Sequence, residues 1–183
     1  NQYVVFNAAT ANAQPDFNGT VENQNLHMLD NLDFAIIYHA SLKDEALRLL
    51  KHRQQFSSLV GVAVDIDQIY NEFSSGTKDP TSVRDFARML YSRNTRLKYL
   101  TLFGSASYDY RYLNTKNKDL NLVPTYETPE SLDPIYGFPS DDYFGLLDNG
   151  EGENLNGKLD IAVGRIISRT LDEARIMVDK IIR

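Results

Sequence analysis

The stretch that decides the fold of this 183-residue chain is residues 33–65, which read DFAIIYHASLKDEALRLLKHRQQFSSLVGVAVD. Residues 34–38 form a continuous apolar run, which is typical of a strand buried on both faces. Apolar residues then recur at helical spacing, as Leu42, Ala46, Leu49 and Leu50. Residues 59–64 follow as a second apolar run, so the stretch predicts a βαβ unit with parallel strands and a right-handed crossover.

Capping signals indicate where the first two helices begin. Ser41 lies three residues before Asp44, which predicts a capping box at the start of a helix near residues 42–55. Asp79 precedes Pro80, a favourable N-cap followed by proline at the first helical position, and predicts a helix over residues 81–93.

The alternation of strands and helices continues to the end of the chain. Thr170 and Glu173 predict a capping box before a last helix over residues 171–183. Further strands are predicted at residues 97–103, 143–147 and 159–163. The whole pattern predicts an α/β fold, with a mainly parallel sheet flanked by helices.

The two ends of the chain differ from its middle. Residues 3–6 resemble a short strand, and residues 7–25 have the polar composition of a loop or linker. We interpret residues 1–30 as a linker or the end of a preceding domain, or equally as an irregular arm on the domain formed by residues 31–183. Because the last helical pattern still continues at Arg183, we expect this segment to belong to a longer chain.

Composition excludes several classes of protein and site. The chain is 42% hydrophobic and 24% charged, with a net charge of −6, which is ordinary for a globular protein. It has no cluster of lysine and arginine, so we expect no nucleic-acid partner. It has no cysteine, which excludes a disulfide, a zinc–thiolate site and a cysteine nucleophile within these residues.

A catalytic triad receives little support from the residues alone. His39 follows the first predicted strand, at the edge where α/β sheets bind ligands, and residues 104–107 carry the candidate serines. This stretch lacks the G-x-S-x-G pattern of a nucleophile elbow. We therefore favour His39 as a hydrogen-bonded residue at the strand end.

Acidic residues concentrate late in the chain. They are Asp141, Asp142, Asp148, Glu151, Glu153 and Asp160. Paired acids suit a glycosidase or a magnesium site, and acids spread through a loop rich in Gly and Asn suit calcium better. Without an EF-hand pattern, spacing alone favours a solvated acidic turn.

Several segments together resemble the gingipain-type cysteine peptidase domain of Bacteroidetes, over residues 20–183. They include IYNEFSSG at 69–76, YLTLFGSASYD at 99–109, VPTY at 123–126, SDDYFGLLD at 140–148 and DIAVGR at 160–165. The resemblance implies a caspase-like fold of two α/β subdomains, the second of which carries the catalytic histidine and cysteine. This chain resembles the first, non-catalytic subdomain, so no catalytic residue is assigned here and we expect the chain alone to be inactive.

Within this family the segments are most similar to the sortase-like component of type IX secretion. That resemblance implies a longer protein at the outer face of the outer membrane. It would remove C-terminal sorting signals from secreted cargo and attach the cargo to the cell surface, working with outer-membrane secretion components. The alternative that the residues leave open is a non-catalytic α/β binding or scaffold module.

The resemblance also implies calcium ligands at Asp148, Asn156, Lys158 (through its backbone oxygen) and Asp160. Ser105 stands where gingipains have an aspartate ligand after the third strand, and we expect it beside the loop formed by residues 148–160. Only Asp160 matches a side-chain carboxylate, and lower ligand charge weakens calcium binding. We expect weak binding through Asp160 and backbone oxygens or no bound calcium, and we favour the second outcome.

Overall fold

A computed structural model describes residues 17, 19–94, 96–107, 109, 120–129, 133, 135, 137–152 and 155–183. The strand predicted at residues 3–6 lies outside this range. Four parallel strands form the central sheet, and they are β1 (Phe34–Tyr38), β2 (Gly61–Asp65), β3 (Tyr99–Phe103) and β6 (Ala162–Ile166). Their order across the sheet is β2-β1-β3-β6. The predicted α/β fold with a mainly parallel sheet is confirmed.

Helices cover both faces of this sheet. They are α1 (Lys43–Phe56), α2 (Ile66–Phe73), α3 (Pro80–Asn94) and α4 (Leu171–Ile182). A separate antiparallel pair joins β4 (Tyr126–Glu127) to β5 (Pro139–Ser140). Within the described residues, no helix is both long enough and apolar enough to span a bilayer.

Strand β1 divides the core because its side chains alternate between the two faces. Phe34, Ile36 and Tyr38 pack with residues of α1 and α4. Ala35 and Ile37 pack with residues of α2 and α3. All five residues of β1 are buried, as the continuous apolar run predicted for a strand between two helical layers.

The start of α1 differs from the expected capping box. A 3₁₀ turn, Ala40–Leu42, comes before the helix, and the ring of His39 accepts a hydrogen bond from the Ser41 backbone N–H. The predicted cap by Ser41 is therefore wrong, because the chain leaves β1 through a tight turn that His39 closes. At α3 the expected cap is present, since Asp79 accepts from the Thr81 N–H at 2.9 Å.

Helix α2 was missed by the sequence analysis. Asp65 ends β2 and caps α2 by accepting from the Asp67 N–H at 3.0 Å. Ile66, Ile69 and Tyr70 are the buried residues of the helix. Their i, i+3, i+4 spacing, preceded by an aspartate, is the signal that would have identified it.

The strand predicted at residues 143–147 is wrong. Residues 142–145 form a 3₁₀ turn, in which the Tyr143 ring stacks on Tyr126 with centroids 3.9 Å apart. Gly145 lies so close to the sheet that a Cβ there would meet Val163 Cγ2 at 2.8 Å. The next strand, β6, begins three residues later than predicted, at Ala162, because the turn bonds Gly145 O to the Asp160 N–H.

Helix α4 begins as predicted. Thr170 accepts from the Glu173 N–H at 3.2 Å, and the Glu173 carboxylate accepts from the Arg169 N–H at 2.7 Å. Helix α4 is tied to α1 by two ion pairs, Arg48 with Asp179 and Arg175 with Glu45, the second at 3.6 Å. The two helices therefore form one layer on this face of the sheet.

The segment that precedes β1 is attached to α2 by the carboxylate of Glu72. Its oxygens accept from the Leu26 N–H at 2.7 and 2.9 Å, from Gln24 Nε2 at 2.9 Å and from the His27 N–H at 3.3 Å, and Oε2 lies 2.7 Å from His27 Nδ1. Burial raises the pKa of Glu72, but these donors outweigh it, and the pKa lies below its ordinary value.

We expect Glu72→Gln to destabilise the fold by about 1–3 kcal/mol at pH 7, because the amide group turns an N–H₂ toward donors that need an acceptor. A lowered folded pKa gives stability that is present above the unfolded pKa of about 4.3 and is lost as the pH falls through the folded value. Thermal melts of both proteins between pH 7 and 3 should therefore converge at the acid end. Glu22→Gln, a change at an exposed acid, is the control. A difference that stays constant with pH would contradict this role.

Candidate functional site

The carboxyl edge of the sheet is organised by the guanidinium of Arg165, on β6. It donates to both oxygens of Asp141 at 2.7 Å, to Gly104 O at 3.0 Å, and to Val123 O and Pro124 O at 2.8 Å. These five bonds use all five N–H donors of an arginine. The side chain is 9% exposed, so this hub fixes the chain after β3 to the segment before the 3₁₀ turn.

Asp141 is therefore committed to a structural ion pair. Its Oδ1 also accepts from the Thr125 hydroxyl at 2.9 Å, whereas the neighbouring Asp142 is exposed. The two adjacent acids do not face one another as a catalytic pair, and the glycosidase or magnesium alternative for them finds no support in this geometry.

His39 and Ser105 also lie at the carboxyl edge, but they make separate contacts. His39 Nδ1 lies 2.9 Å from Ser41 Oγ, and Ser105 Oγ donates to Leu120 O at 2.7 Å. His39 bonds within its own turn and Ser105 bonds the segment near Leu120, so the described residues contain no Ser-His-Asp arrangement built from these two. The interpretation of His39 as a hydrogen-bonded residue at the strand end is confirmed.

A second polar site lies at the opposite edge of the sheet, in the loop that leads into β6. Asp148, Glu151 and Asp160 each place one carboxylate oxygen there, and these oxygens lie within 4.8 Å of one another. We call these three residues the acidic cluster. Asp148 is exposed, and the other two are partly buried.

Asp160 is the rigid member of the acidic cluster. Its Oδ2 accepts from the backbone N–H of Leu147 at 2.8 Å and of Asp148 at 3.2 Å. Its Oδ1 accepts from the Tyr91 hydroxyl at 3.4 Å. Burial, and then the negative charges of the acidic cluster, raise the pKa of Tyr91.

Helix α3 holds the loop from the other side through Arg84, which is 8% exposed. Its Nε donates to Leu146 O at 2.7 Å and its Nη2 to Glu151 O at 2.9 Å. Its guanidinium lies over the Tyr143 ring, 5.4 Å from the centroid. Both hydrogen bonds go to backbone carbonyls, so the three carboxylates gain no hydrogen bond from them.

The residues present fit a hard divalent cation. Glu151 Oε2 is buried and has no hydrogen-bond partner, although a buried carboxylate oxygen without a partner is costly. A cation beside it would satisfy that oxygen and relieve the repulsion among the three acids. An oxygen-only ligand set is the kind that calcium and magnesium prefer.

Two comparisons identify the family. The family model for peptidase family C25 matches residues 27–183. The chain belongs to peptidase family C25. A crystal structure of dimeric latent PorU from Porphyromonas gingivalis is similar with a TM-score of 0.81 and 32% sequence identity, over 96% of this chain and 18% of that chain. The predicted gingipain-type domain close to PorU is confirmed; no curated protein matches the sequence.

Within this C25 domain, the structure brings together only some of the residues of the expected calcium loop. Asp148 and Asp160 come together, as the resemblance implies, and Glu151 joins them although it was not in the implied ligand set. Asn156 and Lys158 are exposed parts of the same loop. The Asn156 carbonyl accepts from the Gly152 N–H at 3.0 Å, and the Lys158 N–H donates to Glu151 Oε1 at 3.0 Å. Their role as ligands stays a prediction.

The expected position of Ser105 beside this loop is wrong. The Ser105 N–H bonds to Ser168 O beyond the end of β6, whereas Asp160 precedes the start of β6. In a parallel sheet these positions lie at opposite edges, roughly 20 Å apart at about 3.3 Å per residue. Ser105 therefore contributes no ligand to the acidic cluster.

We expect Arg165→Lys to lower the stability of the domain by about 3 kcal/mol, because a lysine cannot satisfy Asp141 and three backbone carbonyls together. The melting temperature should fall by roughly 6–12 °C for a domain of this size. Arg169→Lys changes an exposed arginine on the same edge and should leave the melting temperature within about 2 °C. Equal effects of the two substitutions would show that the hub adds no stability.

Proposed function

We propose that this chain is the non-catalytic α/β subdomain of a PorU-like cysteine peptidase. The observation that carries the proposal is the likeness to PorU, at 32% identity across 96% of the chain. The family is one of cysteine peptidases, and the chain spans 18% of the length of the PorU chain that it matches. Activity therefore belongs to a longer protein in this proposal.

The absence of a cysteine nucleophile from this chain agrees with a protein in which a second subdomain carries the catalytic residues. A cysteine peptidase needs a thiolate to attack the peptide carbonyl and a histidine to protonate the leaving amine. This chain has no cysteine, and His39 is engaged with the turn that leads into α1. The subdomain would contribute a rigid wall, with the segment anchored by Arg165 at its carboxyl edge, and leave bond cleavage to a second subdomain.

The finer function that we propose is that of a sortase in type IX secretion. The longer protein would act at the outer face of the outer membrane. It would cut C-terminal sorting domains from secreted cargo and transfer the cargo to a surface amine. Its partners would be the cargo and the outer-membrane secretion components. The likeness to PorU supports this proposal over hydrolysis of unrelated peptides.

A non-catalytic binding or scaffold module is the second candidate. The absence of cysteine from this chain fits both candidates, and the structural use of His39, Ser105 and Asp141 is the observation that favours the second. The coding sequence after Arg183 separates the two candidates. A His-Gly pair after one strand and a cysteine after the next are expected for the peptidase, and a continuation without them would leave the scaffold function.

We expect the purified chain to cleave no peptide and to take up no thiol-directed activity probe, because it has no thiol. The longer protein should be labelled by the same probe and should remove the sorting domain from a reporter cargo. Replacing its probe-labelled cysteine by alanine is the matched control and should abolish both signals. Cleavage by the isolated chain that is insensitive to thiol-directed inhibitors would refute the assignment to a cysteine peptidase.

A further inference from the structure

Asparagine is followed directly by glycine at residues 18–19, 149–150 and 156–157. Asn18 lies outside the described residues, and the other two pairs belong to the loop that leads into β6. A glycine has no side chain to shield its backbone nitrogen, so this nitrogen can approach and attack the side-chain carbonyl of the preceding asparagine. The contacts of the two described pairs differ, and they indicate which pair favours this reaction.

The pair Asn149-Gly150 lies open to solvent. Both residues are exposed, and a Cβ built on Gly150 would meet no atom within 4 Å. The Gly150 N–H donates a hydrogen bond to none of the described residues. The turn around the pair is closed by a long bond, from the Glu151 N–H to Asp148 O at 3.4 Å. A bond of this length is weak, so it only slightly resists the backbone rotation that brings the nitrogen to the side chain.

The guanidinium of Arg88 bonds the group that would be attacked. Arg88 lies one turn after Arg84 on α3, and its Nη2 donates to Asn149 Oδ1. A cation on a carbonyl oxygen withdraws electrons from the carbon and stabilises the negative charge that develops on the oxygen when a nucleophile adds. The acidic cluster beside the pair disfavours a further anion. Arg88 therefore supplies positive charge where the reaction needs it.

The pair Asn156-Gly157 provides a contrast in the same loop. Asn156 O accepts from the Gly152 N–H at 3.0 Å, and the Lys158 N–H donates to Glu151 Oε1 at 3.0 Å, so the backbone is held on both sides of the pair. A Cβ on Gly157 would lie 2.8 Å from Glu151 Oε1, which places a carboxylate beside the reacting groups. Within the described residues, no cation donates to the Asn156 side chain.

We propose that Asn149-Gly150 is a self-modification site, at which the chain deamidates with the help of Arg88. The Gly150 nitrogen bonds to Asn149 Cγ and loses its proton to solvent. The bond from Cγ to the amide nitrogen then breaks, and ammonia leaves with a proton taken from solvent. Water adds to either carbonyl of the resulting succinimide and opens the ring to aspartate or isoaspartate. The net reaction consumes water and releases ammonia, and it is independent of the proposed function.

The modification changes the loop in a defined way. Either product carries a carboxylate in place of an amide, so the loop gains a negative charge beside the acidic cluster. An aspartate keeps the main chain unchanged and turns the contact with Arg88 into an ion pair. An isoaspartate adds a methylene to the main chain and should open the turn between Asp148 and Glu151.

The test is peptide mapping by mass spectrometry of the purified chain during incubation at neutral pH, with aspartate and isoaspartate separated by chromatography. The deamidation rate of each asparagine is measured in the folded chain and in the chain unfolded by guanidinium chloride. The ratio of the two rates removes the effect of the local sequence. We expect the ratio at Asn149 to exceed that at Asn156 by at least about tenfold, which needs only a modest difference in activation barrier.

Substitutions of Arg88 test its role. Arg88→Gln keeps a good helix former and removes the cation, so deamidation at Asn149 should slow at least about threefold, with no change at Asn156. The effect is smaller than the hundredfold or more of a buried oxyanion donor, because this contact is exposed to water. Arg88→Lys retains the positive charge and should keep most of the rate. Thermal melts of both variants check that the domain stays folded.

Equal ratios at Asn149 and Asn156 in the wild type would overturn the proposal, and this comparison does not depend on the folding of a variant. An unchanged rate in Arg88→Gln would remove Arg88 from the reaction. A faster rate in Arg88→Gln than in the wild type would show that the arginine protects the amide, which is the opposite of the proposed role.

Discussion

One buried guanidinium joins parts of the chain that are far apart in sequence. Arg165 projects from the last strand of the sheet and satisfies Asp141 and the carbonyls of Gly104, Val123 and Pro124. Each of those carbonyls would otherwise need water or another donor at a partly buried edge, and Asp141 would be left without its counter-charge. Because all five donors are used, the arrangement fixes Gly104, Val123, Pro124 and Asp141 relative to one another.

The two edges of the sheet use arginine in different ways. At the carboxyl edge, Arg165 neutralises an acid directly and so removes it from any chemistry. At the other edge, Arg84 bonds carbonyls and leaves the acidic cluster with its charge. An arginine that pairs with a carboxylate neutralises its charge, whereas an arginine that bonds backbone carbonyls beside carboxylates leaves their charge in place. For this reason Asp141 serves a structural ion pair, whereas the acidic cluster keeps its negative charge.

Much of the fold could be predicted from residues 33–65, where two apolar runs flank a stretch with apolar residues at helical spacing. This pattern fits a βαβ unit. A strand with five buried residues needs helices on both faces, and this requirement is enough to predict the α/β class. The wrong predictions lie where contacts with distant residues decide the local structure and the local sequence pattern indicates another one. The apolar residues 143–147 could have formed a strand, but the close approach of Gly145 to Val163 favours a tight turn. The cap at Ser41 was predicted wrongly because the helical spacing of apolar residues does not reveal the 3₁₀ turn after β1, in which His39 accepts the Ser41 N–H.

The candidate site was harder to predict for a related reason. Asp148 and Asp160 were identified through the family resemblance, whereas Glu151 joins them only because the loop turns back on itself at Gly152 and Gly157. The spacing of acidic residues along the sequence does not indicate how this loop folds, so it could not identify Glu151. Ser105 was misplaced because a motif shows order along the chain and carries no information on which edge of a parallel sheet a residue occupies.

The hub of Arg165 also has a consequence for the order in which this domain folds. Its bonds to Gly104 and Val123 close loops of 61 and 42 residues, and the entropy of closing such loops is lost before the contacts form. The βαβ unit of residues 33–65 closes a shorter loop, since the bonded residues Asp33 and Val60 are 27 positions apart, and it can form earlier, whereas the bonds of Arg165 wait until β6 is in place. The bonds from Arg165 to Gly104 and Val123 should therefore be among the last at the carboxyl edge to gain protection from hydrogen exchange during refolding.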